Sequence, residues 1–153
     1  MADLKRTDAG NQDFQSLVVL LDEELRQRDG DEHVFYAQFN SLDRIRHAVV
    51  AYQDDIPVGC GALRPFDDQT AEIKRMFVHP LFRGQGIAQK ILAELEKWAW
   101  ENLIRKCILE TGFNQPEAIA LYQKSGYQRI ANYGPYGGIA NSLCMEKVLT
   151  STN

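Results

Sequence analysis

Cysteine is scarce, and its spacing points to no redox or metal chemistry: Cys60, Cys107 and Cys144 are odd in number, far apart and form no C-x-x-C pair. They read as reduced core thiols, as expected of a cytoplasmic protein. No stretch approaches the ~18 apolar residues of a membrane span, so no membrane partner is expected. The opening Met1-Ala2-Asp3-Leu4-Lys5-Arg6 lacks the apolar core of a secretion signal, which again points to the cytoplasm. Basic residues do not dominate either. Lys and Arg number 17 against 21 Asp and Glu, for a net charge of −4, which argues against nucleic acid as the main partner, since phosphate binding relies on basic stripes. His33, His47 and His79 show no ligand spacing, so no metal is expected.

What is present is an ordinary globular composition, 44% hydrophobic and 25% charged over 153 residues, which suits one domain, 1–153, with a core that needs no disulfide. Residues 2–7 allow a short first strand. Phe14, Leu17, Val18, Leu21 and Leu25 recur at helical spacing and Gly30 follows, so a helix is expected from Phe14 to Arg28. A weaker helical stretch covers His33 to Phe39. Strand-like runs at 48–52, 58–64 and 71–78 are separated by turn residues and read as an antiparallel meander. A helix over 86–101 buries Ile87, Ile91, Leu92, Leu95, Trp98 and Ala99. A short strand at 107–109, a helix from Asn114 to Lys124, a strand near 126–131 and a last strand at 142–149 complete an α+β order. Its one crossover makes the strands at 71–78 and 106–111 parallel neighbours.

The stretch MFVHPLFRGQGIAQK, 76–90, joins a strand to a helix through a loop suited to an anion. Met76, Phe77 and Val78 close the strand, Pro80 ends it, and Gly84 and Gly86 let the backbone turn with no Cβ in the way. The amides of Gly84, Gln85, Gly86, Ile87 and Ala88 then open a helix whose first donors lack partners, a ready site for phosphate, and Arg83 adds a positive fork. A Walker loop would need Gly-Lys-Ser/Thr, and a dinucleotide fingerprint a third glycine where Gln89 stands.

Arg83-Gly84-Gln85-Gly86-Ile87-Ala88 resembles the Q/R-x-x-G-x-G/A signature of the GCN5-related N-acetyltransferases. The preceding 71–80 strand and the segment Asn114 to Tyr127 are also similar to that family's, so the resemblance covers about half the chain by motif. It implies a twisted, mostly antiparallel sheet of six to seven strands with helices on both faces, and acetyl-coenzyme A as acyl donor, its pyrophosphate held by the 83–88 loop. It further implies that the 71–78 and 106–111 strands splay so that the pantetheine arm pairs with exposed backbone at Met76–Val78. Glu72 in Ala71-Glu72-Ile73 resembles the family's acidic general base; a strand-end glutamate paired with Lys74 or Arg75 is the plainer reading. Asn114 would hold the pantetheine arm, and Tyr122 would place a hydroxyl, protonated at neutral pH, near the thioester sulfur. A helix tyrosine packed in the core is its plainer reading.

Period-2 geometry puts Glu72 and Lys74 on one strand face and Ile73 and Arg75 on the other, and charges on both faces suggest a cleft. The glycine-rich, aromatic Tyr133-Gly134-Pro135-Tyr136-Gly137-Gly138 suits a flexible wall over a substrate. With Tyr36, Asp29, Asp31 and Glu32 it places acid and aromatic side chains where the resemblance walls the acceptor pocket, so an amine with a second positive charge is the expected acceptor; three acids solvated around Gly30 and touching nothing are the plainer reading. The function expected is acetyl transfer to a primary amine of a small molecule by direct attack in a ternary complex, with room for a homodimer. A protein or peptide N-acetyltransferase and a non-catalytic acyl-coenzyme A sensor are the alternatives.

Overall fold

The computed structural model describes residues 2–29 and 45–151. Among them seven strands form one sheet in the order β1-β2-β3-β4-β5-β7-β6. Strand β1 (Asp3–Thr7) leads to helix α1 (Gln12–Asp29), then to β2 (His47–Gln53), β3 (Ile56–Asp67) and β4 (Thr70–Val78). Helix α2 (Ile87–Glu101), β5 (Lys106–Gly112), helix α3 (Pro116–Lys124), β6 (Gln128–Ile130) and β7 (Ser142–Val148) follow. Every described neighbour pair is antiparallel except β4 and β5. The weak helix expected at 33–39 lies outside the described residues.

Alternation along the central strands divides the core. Ala48, Val50, Cys60, Ala62 and Phe77 face α1 and bury Phe14, Leu17, Val18 and Leu21, whereas Val49, Ala51 and Val58 face α2 and bury Ile87, Ile91, Leu92 and Leu95. Two turns show why their residues were chosen. Asp54 and Asp55 have φ of 52° and 65°, the paired left-handed values of the tight hairpin between β2 and β3, which Asp tolerates through its short polar side chain. Helix α3 starts at Pro116 rather than at the expected Asn114, because proline at the first helical position has no N–H to satisfy and Gln115 takes the cap.

In α2 the buried stripe differs at one place. Trp98 is half-buried against His47 and Arg6, while Glu96 is 3% exposed, its carboxylate accepting from the Tyr127 hydroxyl at 2.9 Å and from Lys147 Nζ at 2.8 Å. Two partners offset the cost of burying the charge.

Strand β4 carries the largest departure from the simple pattern. Lys74 pairs with Ala62 and Phe77 with Cys60, so two β4 residues stand opposite the single Gly61. This is a bulge, with Arg75 at φ 58°. A non-glycine residue in that conformation costs on the order of 1–2 kcal/mol. Its consequence corrects the expected alternation: Lys74, Arg75 and Phe77 all face α1, and Arg75 donates to Asp22 there instead of standing opposite Lys74.

Candidate active site

The parallel pairing of β4 with β5 is short. It runs from Thr70↔Lys106 to Glu72↔Ile108 and stops, although β4 continues to Val78 and β5 to Gly112. The strands diverge into a cavity of about 570 Å³ walled by β4 residues Ile73–Val78, by Glu110–Gly112 of β5, and by residues of α1, α3 and the loop into α2. The expected splay is therefore present, and backbone beyond Glu72 faces the gap instead of a partner strand.

At one end lies the glycine loop. Gly84 and Gly86 have φ of 82° and 80°, and a Cβ built on Gly84 meets nothing within 4 Å, so the backbone borders open space. Gly86 caps α2 with no side-chain hydrogen bond, which leaves the first amides of the helix to whatever occupies the cavity. Arg83 donates through Nε to the Val78 carbonyl at 2.8 Å, which fixes its stem, and through Nη2 to Glu24 of α1 at 2.9 Å. Glu24 also stands 3.9 Å from Arg28, and Arg28 reaches Gln115 at 2.7 Å and Glu117 at 3.1 Å on α3. All six residues wall the cavity. Sequence reading missed Glu24, Arg28 and Gln115, since nothing local marks contacts made between residues so distant in the chain.

Met76, Phe77, Val78, Ile87, Ala88 and Tyr122 also wall the cavity, whereas Gln85 and Asn114 stand exposed outside it. The neighbour of Asn114 is turned inward. Gln115 is buried, its Oε1 accepts from Arg28, and its Nε2 has no hydrogen-bond partner. A residue placed directly before a proline that opens a helix was the available signal for that cap.

Tyr122 is 6% exposed and packs edge-on against Tyr127 with ring centroids 5.8 Å apart. Burial, then the charge of Glu110, pushes its hydroxyl well above the ordinary tyrosine range. Among the described residues nothing holds that hydroxyl in a hydrogen bond.

Glu72 stands at the last paired position of β4, 7% exposed. Its Oε2 accepts from the Tyr133 hydroxyl at 2.7 Å and lies 3.8 Å from Lys74 Nζ, which in turn reaches the Tyr136 hydroxyl at 3.3 Å. Both the plainer ion pair and a polar cluster are thus present. Burial lowers the Lys74 pKa against the opposing pull of Glu72 and Glu110, and burial, then Glu72, raises that of Tyr133. Tyr133 and Tyr136 do not wall the cavity; Tyr136 is 2% exposed under Cys144, and Asn132 Nδ2 ties their loop to the carbonyls of Tyr136, Ile139 and Ser142. The loop is pinned rather than free, so it differs from the flexible wall expected. Tyr36, Asp31 and Glu32 lie outside the described residues.

None of the three cysteines is placed as a nucleophile. All are free and buried, and burial pushes the Cys60 and Cys107 thiols up to about 12. Among the described residues no group of three or more His, Cys, Asp or Glu could hold a metal, and no helix is long and apolar enough to cross a membrane.

A seven-stranded sheet opened between its one parallel pair, with an uncapped helix start at one end of the opening, defines a class as well as a site. The family model for the acetyltransferase (GNAT) family matches residues 14–127. An IAA acetyltransferase from Azospirillum brasilense is 37% identical over 150 residues, covering 94% of this chain and 97% of that protein. A structure from Klebsiella pneumoniae assigned to the acyl-CoA N-acyltransferases superposes with a TM-score of 0.82 at 31% identity, over 98% of this chain and 99% of that one. A GNAT acetyltransferase from Elizabethkingia anophelis, solved with acetyl-CoA bound, shares the fold at 20% identity, with a TM-score of 0.71 over 97% of this chain and 98% of its own. The chain belongs to the acetyltransferase (GNAT) family and is an N-acetyltransferase.

Proposed function

We propose that the chain moves an acetyl group from acetyl-coenzyme A to a primary amine of a small molecule by direct attack within a ternary complex. The observation that carries this reading is a cavity that joins the glycine loop to Tyr122 and to β4 from Ile73 onward, the position next to Glu72. Residues and donor fit each other. The left-handed glycines and uncapped amides suit a diphosphate, Arg83 lies beside them, and the orphaned Nε2 of Gln115 suits an amide carbonyl of the pantetheine arm. Met76, Phe77 and Val78 offer backbone to the same arm, with Asn114 and Gln85 at the outer rim.

Bound acetyl-coenzyme A supplies an activated thioester carbonyl. Glu72 takes the proton of the attacking amine, directly or through water, and Tyr133 and Lys74 hold its carboxylate in place. Tyr122 gives a proton to the departing sulfur, a task for which a hydroxyl kept protonated by burial is suited. A two-step route through an acylated cysteine is disfavoured, because each thiol is buried and raised away from the thiolate.

Thermal shift with acetyl-coenzyme A, followed by free-thiol release across small amines and peptide N-termini, tests the reading. Stabilisation by the donor and turnover on small amines are expected. Turnover confined to peptides would replace the substrate class, and donor-independent behaviour throughout would remove the function.

A further inference from the structure

Resting on the acetyl-transfer reading, we propose that the acceptor amine also carries a carboxylate, bound by Arg75 beside Lys74, so that its class is that of small amino acids. The β4 bulge turns two successive cations onto the face where Glu72 stands, and both wall the cavity. Lys74 is 7% and Arg75 5% exposed. A strained backbone that gathers two buried cations beside the proposed base is a costly arrangement for packing alone and a direct one for binding an anion.

Hydrogen-bond demand on the wall has one sign. Among the described residues, those on the wall with a buried, unpartnered polar atom are Arg75, at Nε, and Gln115, at Nε2; both atoms are donors. The Gln115 assignment is fixed by its neighbour, since its oxygen must face the Arg28 guanidinium. Gln115 sits at the start of α3, on the donor's side, which leaves Arg75 for the acceptor. Among the described residues Arg75 has a carboxylate at one Nη, that of Asp22, which is 42% exposed and screened by water. Its planar fork therefore retains a donor for a second carboxylate.

The carboxylates on the wall are already engaged. Glu24 holds Arg83 and Arg28, Glu117 holds Arg28, and Glu110 has its own polar interaction. Among the described residues a second ammonium finds no unpaired acid here. The preference expected from Asp29, Asp31, Glu32 and Tyr36 rests on side chains outside the described ones, and this proposal replaces it with the opposite preference.

The test compares three acceptors of equal chain length, an amino acid, its primary amide and the corresponding diamine, by free-thiol release. The acid is expected to exceed both others in kcat/KM by about tenfold or more. Arg75→Gln should bring the acid-to-amide ratio close to one. Because Arg75 is buried and strained, Asp22→Asn provides a second arm: removing the competing carboxylate should lower KM for the acid and leave that ratio higher than in the parent. An amide or diamine used as well as the acid, or an unchanged ratio in both variants, overturns the proposal. If the donor stabilises the protein but no carboxylate-bearing amine is acetylated, the proposal falls and the donor site stands. If the donor does not bind, the acetyl-transfer reading falls with it.

Discussion

In the proposed mechanism Tyr122 and Glu72 divide the proton transfers, and the role of Tyr122 has its own signature. Tyr122→Phe keeps the ring against Tyr127 and removes only the hydroxyl, so kcat should fall by about 10² while the KM for acetyl-coenzyme A changes little. Equal losses in binding and turnover would assign the hydroxyl to packing or to holding the donor. The pH profile supplies a second check. Tyr122 acts protonated, and its folded pKa is raised by burial and Glu110, so its proton is retained as pH rises through the ordinary tyrosine value of ~10. Initial rates should show no alkaline loss from this group between about pH 8 and 10. Both residues could be singled out in the sequence as candidates, through their place in motifs. Lys74 beside Glu72 was legible too, but the Tyr133 hydroxyl on Glu72 spans 61 positions, and the inward-turned Gln115, a partner of Arg28, was hidden beside the more conspicuous Asn114.

Among elements, the glycine loop and the bulged strand make separable predictions. Gly86 sits at φ 80°, where a β-branched residue is strained, in the loop proposed to hold the diphosphate. Gly86→Val should abolish binding of acetyl-coenzyme A in isothermal titration; an affinity equal to the parent's would remove the loop from the donor site. Gly61 serves packing instead. A Cβ there would collide with Met76 Sδ and come within 2.9 Å of Leu95 Cδ1, so Gly61→Ala should cost roughly 1–3 kcal/mol in chemical denaturation. Helical periodicity disclosed α1 and most of the α2 stripe, and turn residues disclosed the meander, because those signals are local. Glu96 escaped the stripe since its burial depends on Tyr127 and Lys147 far along the chain. The Arg75 bulge escaped because two-residue alternation contains no trace of a left-handed arginine. That single register slip moved a cation from one face of the sheet to the other and changed the charge of the pocket.

Across the whole molecule, ion pairs tie the glycine loop to α1 and α1 to α3 over the open seam of the sheet, through Arg83, Glu24, Arg28 and Glu117. Glu24 occupies the arginine that the diphosphate would use. Glu24→Gln should therefore tighten acetyl-coenzyme A binding, most at low ionic strength, and an unchanged affinity at low salt would show that the donor bypasses Arg83. His47 links β2 to α2 by its edge contact with Trp98, and burial, then Arg6, lowers its folded pKa below 6.5. The native state thus binds fewer protons there than the unfolded chain. Its contribution to stability is full above the unfolded pKa and is lost as pH falls through ~6.5 towards the folded value, so Tm should drop with acidification and drop less in His47→Gln. The central claim, direct transfer between two substrates held in one cavity, is tested most directly by initial rates of thiol release at crossed concentrations of acetyl-coenzyme A and amine. Intersecting lines, with no thiol released before amine is added, are the predicted result. Parallel lines with a burst of thiol in the absence of amine would show an acylated enzyme and contradict the account.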